Sequence, residues 1–195
     1  MVYGGARMLK GIVVGFILTI IALGAGAYFY FATGMAPVAT SEPPMPFEKK
    51  LASIALRARI EKDNVGDSPV AADEPNFVAG AKLYMNHCAA CHGLPDQPPT
   101  TYASTMFPKP TQLFRGKGVT DDPPSESYWK AANGIRLSGM PSFKKSLTDT
   151  ELWQVSELVA HADQLPPSAK AILVLNAPPP AAEAPAAAAS SKSGK

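Results

Sequence analysis

Apolar and polar positions alternate in several distinct patterns along the chain, and each pattern predicts a different element. Gly11 to Ala32, GIVVGFILTIIALGAGAYFYFA, is a 22-residue apolar run within a stretch that carries no charge between Lys10 and Glu42. As a helix it would span roughly 33 Å, enough to cross a bilayer, and Tyr28, Phe29, Tyr30 and Phe31 set aromatic rings where it would leave the hydrocarbon. A cleaved leader is the competing reading, with Ala25 and Ala27, or Gly34 and Ala36, as small residues before a cut. The run exceeds a usual leader core, which favours a retained anchor over residues 1–33. Charge leaves its orientation open, because Arg7 and Lys10 face Lys49 and Lys50 across the span.

Residues 34–74 form a connector that opens with Pro37, Pro43, Pro44 and Pro46, residues that favour extended chain. Within it, Phe47, Leu51, Ile54 and Ala58 follow helical spacing among Lys49, Lys50, Arg57, Arg59 and Lys62, so this part reads either as a basic helix resting on a membrane or partner, or as a short solvated helix. Three amphipathic helices are then expected in residues 75–172. One starts at Glu74 or Asn76, with Pro75 in its first turn, and ends at Gly93; one runs from near Ser125 to a stop at Asn133 and Gly134; one starts at the Thr148/Glu151 capping box, shows Leu152, Trp153, Val155, Leu158 and Val159, and stops before Pro166 and Pro167. The intervening stretches, 94–124 and 135–147, lack strand alternation and read as long loops. Residues 173–195 read as a Pro/Ala-rich disordered tail, with nothing to bury from Asn176 onward.

Composition narrows the picture. The 195 residues accommodate one modest folded domain plus appendages, and a net charge of +2 from 18 basic and 16 acidic residues gives no nucleic-acid signature. Two cysteines cannot build a disulfide framework. Three short helices with long loops bury little apolar surface, a deficit that a large bound apolar group would repair.

Cys88, Ala89, Ala90, Cys91 and His92 make C-x-x-C-H, the attachment pattern of c-type haem, in which two thiols form thioethers and the following imidazole binds iron. A thioredoxin-like dithiol would need a flanking βαβ pattern, which is missing. A zinc site would need two further ligands, with only His87 and His161 left to supply them. The sixth iron position has Met106, Met140 and His161 as candidates. Met140 is favoured because glycines and Pro141 in GIRLSGMPSF shape a stiff loop to present its sulfur. Met106 reads as an ordinary loop side chain, His161 as a solvated residue, and His87 as badly placed on the same helix as Cys88.

These residues resemble the class I mono-haem cytochromes c, particularly the small bacterial type associated with respiratory chains and terminal oxidases. The resemblance covers about residues 76–172 and rests on CAACHG from Cys88, SGMPSF from Ser138, Gly80 and Tyr84 before the motif, and LWQVSELV from Leu152. It implies an all-α fold, a small cytochrome c fold of three to five short helices with long loops around one covalent haem c, preceded here by a single transmembrane helix. It implies further that Gly80 meets Trp153, that Tyr84 packs on the last helix, and that Pro110 and Leu113 cover the proximal side of the ring. Ile135, Trp129 and Phe143 would line the pocket, with Arg136 or Trp129 donating to a propionate. The Pro-rich loop over residues 95–112 departs from the shortest members of the family.

Iron held by His92 and Met140 has no open position, so the expected function is one-electron transfer without bond-making catalysis. Expected partners are a quinol-oxidising complex or a terminal oxidase, met either by a shuttling domain or within a fixed complex. Lys109, Arg115, Lys117, Lys130, Arg136, Lys144 and Lys145 outnumber Asp121, Asp122 and Glu126 and could steer docking. Haem is attached after export in this family, which puts the domain on the periplasmic side of the bacterial inner membrane. The alternative is a haem enzyme or gas sensor with an open or displaceable sixth position, against which stands the lack of an acid or base pair beside the motif. A haem with a purely structural role is a third reading.

Overall fold

The computed structural model describes residues 3–115 and 122–175. Among them the chain is nearly all helical, with eight helices and no strand. Chain contacts divide it into two units, Met1–Leu51 and Ala52–Lys195.

The first unit is dominated by α1, Tyr3–Ala32. Its Arg7–Ala32 stretch is long and apolar enough to cross a membrane, and none of it is covered. The helix ends in a Schellman turn at Gly34 (φ 74°), where Gly34 N donates to Phe31 O and Met35 N to Tyr30 O. The proline-rich stretch that follows is turned rather than extended. The Glu42 carboxylate accepts from Val38 N and Ala39 N, and Glu48 accepts from Met45 N, so two acidic side chains fold the backbone between the prolines.

Helix α2, Glu48–Asp63, confirms the helical spacing seen in the connector and has no buried residue. It is followed by α3 (Glu74–His87), α4 (Ala89–His92), α5 (Thr101–Thr105), α6 (Pro124–Asn133), α7 (Asp149–Ala160) and α8 (Pro167–Leu175). The Asp73 side chain caps α3 by accepting from Asn76 N, and Pro75 occupies the first turn. The capping box of α7 forms as expected, with Thr148 Oγ1 accepting from Glu151 N and Glu151 accepting from Thr148 N at 2.8 Å.

Helix α3 packs on α7 and α8, and α6 packs on α7. A Cβ on Gly80 would sit 2.3 Å from Gln154 O and 3.1 Å from Leu158 Cβ, so only glycine permits this α3–α7 approach. Gly80 thus meets Gln154 and Leu158 rather than Trp153, whose ring instead stacks on Tyr128 at 4.2 Å and ties α6 to α7. Tyr84 packs as expected, fully buried in a core with Phe77, Val155 and Leu158. Leu173 and Ala169 complete that core from α8, a helix that the sequence reading lacked. Helix α7 stops at Ala160, before Pro166 and Pro167 as expected, and Pro167 is then the first residue of α8. Among the described residues six helices follow from Glu74 onward, because α5 and α8 join the three expected and the first of those is divided at Cys88 into α3 and α4.

Candidate haem site

The motif sits where α3 breaks. Cys88 is the joint, its φ widened to −115° with ψ −37° still in the right-handed region, and α4 follows over Ala89–His92. Gly93, at φ 74°, then ends the turn in a conformation that suits glycine. Cys88 and Cys91 are both free thiols and half-buried. Burial, with the neighbouring Cys91 adding, pushes the Cys88 thiol up to about 12.

Every backbone carbonyl from residue 90 to residue 93 is held from outside the motif. Ala90 O accepts from Thr100 Oγ1, Cys91 O from Gln112 Nε2, His92 O from Leu113 N, and Gly93 O from the Tyr84 hydroxyl at 2.7 Å. The segment from Thr111 to Leu113 thus clasps the motif. Gln112 Oε1 is buried without a hydrogen-bond partner, facing the space that a Cβ on Gly93 would fill.

His92 shows how the imidazole is set. Its Nδ1 lies 2.8 Å from Thr111 O, and a carbonyl can only accept, so Nδ1 carries the proton and Nε2 keeps its lone pair. Burial first, then the Lys130 ammonium, hold this histidine below its ordinary pKa, against the upward pull of the Thr111 carbonyl. A neutral imidazole with a free Nε2 beside two free thiols one helical turn apart fits c-type haem attachment. Among the described residues no group of three or more His, Cys, Asp or Glu side chains is placed to hold a metal ion.

The methionine loop is built from turns. Ile135 N donates to Met140 O, Ser138 Oγ to Ile135 O, and Met140 N to Ser138 Oγ. Gly134 and Gly139 both adopt positive φ. A Cβ on Gly134 would lie 2.7 Å from Pro141 C, which explains the glycine there. Met140 is half-buried. Met106, expected to be an ordinary loop residue, brings its methyl within 2.8 Å of where a Gly139 Cβ would stand, so both methionines reach this turn.

The remaining pocket candidates divide. Phe143 packs edge-on against His87 at 5.8 Å. Trp129 is buried, but its indole N–H is already committed, donating to Asp63 Oδ2 of α2 at 2.8 Å. Ile135 is half-buried and Arg136 exposed. Lys130 is ion-paired with Asp122 and Glu126, which removes it from the free basic surface; Lys117 and Asp121 lie outside the described residues. His161 is about one-third open to solvent, its side chain 35% exposed. It ends α7 half-buried, 5.5 Å from the Phe77 ring and 3.3 Å from the Glu157 carboxylate.

Residues 75–159 match the family model described as cytochrome C oxidase, cbb3-type, subunit III. That stretch of the chain is similar to a cytochrome c domain. The match covers less than half of the chain and includes the C-x-x-C-H turn, the methionine loop and α7. Among solved structures, a chain of the Kuenenia stuttgartiensis reducing HAO-like protein complex Kustc0457/Kustc0458 is similar at 29% identity and TM-score 0.42, over 48% of this chain and 46% of that one. This chain thus spans under half the length of that relative. Among curated proteins none is significantly similar.

Proposed function

We propose that the chain is a membrane-anchored one-electron carrier in which Cys88 and Cys91 would hold a single haem c through thioethers, and His92 Nε2 and the Met140 sulfur would bind its iron. The observation that carries this reading is the Nδ1–H of His92 held by the Thr111 carbonyl, which presents Nε2 beside the two free thiols. Haem c, when bound, supplies a one-electron ferric/ferrous couple. The chain's part is to keep that couple rigid and partly dry. The outside hydrogen bonds to residues 90–93 fix the attachment turn, the Pro110–Leu113 loop covers the histidine side, and the turns around Gly134 and Gly139 hold the methionine side. A thioether ligand favours ferrous iron and raises the reduction potential.

The α1 helix would anchor the domain in the bacterial inner membrane, with the haem domain on the periplasmic side, where haem is attached. The family description names an oxidase subunit, which supports a terminal oxidase, or a quinol-oxidising complex that feeds one, as the redox partner. Lys109, Arg136, Lys144 and Lys145 are exposed and available to steer an acidic partner, at a rate that falls with salt.

The ligand assignment is tested by optical spectra of the wild type beside Met140→Ala and Met106→Ala. The wild type and Met106→Ala should show the weak red band of sulfur-to-ferric-iron charge transfer and resist carbon monoxide. Met140→Ala should lose the band and bind the gas. A band that survives in Met140→Ala and vanishes in Met106→Ala would move the ligand to Met106. Its absence from the wild type, with gas binding, would favour the open-site enzyme or sensor. Intact mass checks attachment: one haem per chain, lost from the Cys88→Ser/Cys91→Ser variant.

A further inference from the structure

Helix α2 has two faces. Leu56 and Ile60 are half-buried, and Asp63 on the same side accepts from the Trp129 indole of the cytochrome domain. The other side carries Leu51, Ile54 and Ala58 at helical spacing, all exposed, with 64% of Leu51 and 55% of Ile54 open. Lys50 and Arg57 border this stripe on one edge and Lys62 on the other, with Glu48 and Glu61 the acidic residues beside it. An apolar stripe edged by cations is the pattern of a helix lying in a headgroup region, where aliphatic side chains sink to the acyl boundary and long basic side chains reach anionic phosphates. Chain continuity points to the same partner. Fifteen residues separate Ala32 of α1 from Glu48 of α2, at most roughly 50 Å when fully stretched, and turns held by Glu42 and Glu48 shorten that reach.

We propose that the outer face of α2, Leu51, Ile54 and Ala58 with Lys50, Arg57 and Lys62 on its borders, lies on the anionic surface of the bilayer that α1 crosses, and that the Asp63–Trp129 bond thereby holds the cytochrome domain against that surface. The proposal rests on the reading of α1 as a retained span. It turns the connector from a loose tether into a brace, so the domain exchanges electrons with partners whose docking surface lies close to the membrane.

The test uses the full-length haem-loaded protein, in which both native cysteines are consumed by thioethers, reconstituted in phosphatidylcholine vesicles with or without phosphatidylglycerol. A spin label at Ile54→Cys is compared with one at Ala52→Cys, off the stripe, by collision with oxygen and with a water-soluble nickel chelate. In anionic vesicles the oxygen-to-nickel ratio at position 54 should exceed that at position 52 several-fold. It should fall to the value at 52 in the K50Q/R57Q/K62Q variant, with the haem spectrum unchanged. Equal ratios at position 54 in the two lipid compositions would overturn the proposal. So would protection that persists in detergent and grows with protein concentration, which would mean a second copy covers the face. Release of the chain from vesicles by alkaline carbonate would instead remove the anchor reading and this proposal together.

Discussion

A few residues in this domain have roles that no conservative exchange can fill. Gly80 is one, because a Cβ there would sit 2.3 Å from a backbone carbonyl on α7 and neither helix backbone can yield cheaply. Gly80→Ala should destabilise the haem-loaded protein by about 3 kcal/mol, read as a lower denaturant midpoint at unchanged slope. Tyr84 is another: its hydroxyl is the donor to Gly93 O inside the core, and Tyr84→Phe should cost about 1–2 kcal/mol by leaving that carbonyl unpaired, checked by thermal unfolding. At this scale the sequence was informative wherever the chemistry is local. Cys88, Cys91 and His92 announce themselves by spacing, and Gly134 by its place after a helix. The partner of Gly80 was not legible, because whether Trp153 or Gln154 faces α3 depends on the rotation of α7. That rotation is set by Trp153 stacking on Tyr128 of α6.

Among elements, those with self-contained start and stop signals were readable: α3 with Pro75, α6 with Gly134, α7 with its Thr148/Glu151 box. Helix α8 was missed because a proline pair serves equally as a stop and as a first turn. Ala169, Ile172 and Leu173 at helical spacing were the signal that it begins there. The join between α2 and α6 could not be read at all, since Asp63 and Trp129 lie 66 residues apart. That join carries a pH dependence of definite sign. The Arg59 guanidinium first, then the Trp129 indole, hold the Asp63 carboxyl below the usual aspartate range. A depressed pKa means that the contribution is present above the unfolded value and lost as pH falls through the folded one. Limited proteolysis of residues 64–73 should therefore be constant from about pH 5 to 8 and quicken only in stronger acid. Asp63→Ala should be cut several-fold faster at neutral pH.

For the whole molecule, the sequence distinguished a long apolar N-terminal helix from a helical body around the C-x-x-C-H motif, while the packing of that body against the end of α2 emerged only from the structure. The proposed function joins these parts: α1 fixes the chain in a bilayer, the α3–α8 scaffold presents His92 and Met140, and no substrate position is left on the iron. A carrier built this way exchanges electrons and does not bind small gases. The most direct measurement is an optical redox titration of the full-length protein in membranes, run under argon and again under carbon monoxide. The account predicts a single one-electron wave whose midpoint is the same under both gases. A midpoint that rises under carbon monoxide would show an iron position open to ligands, and the electron-carrier account would be wrong.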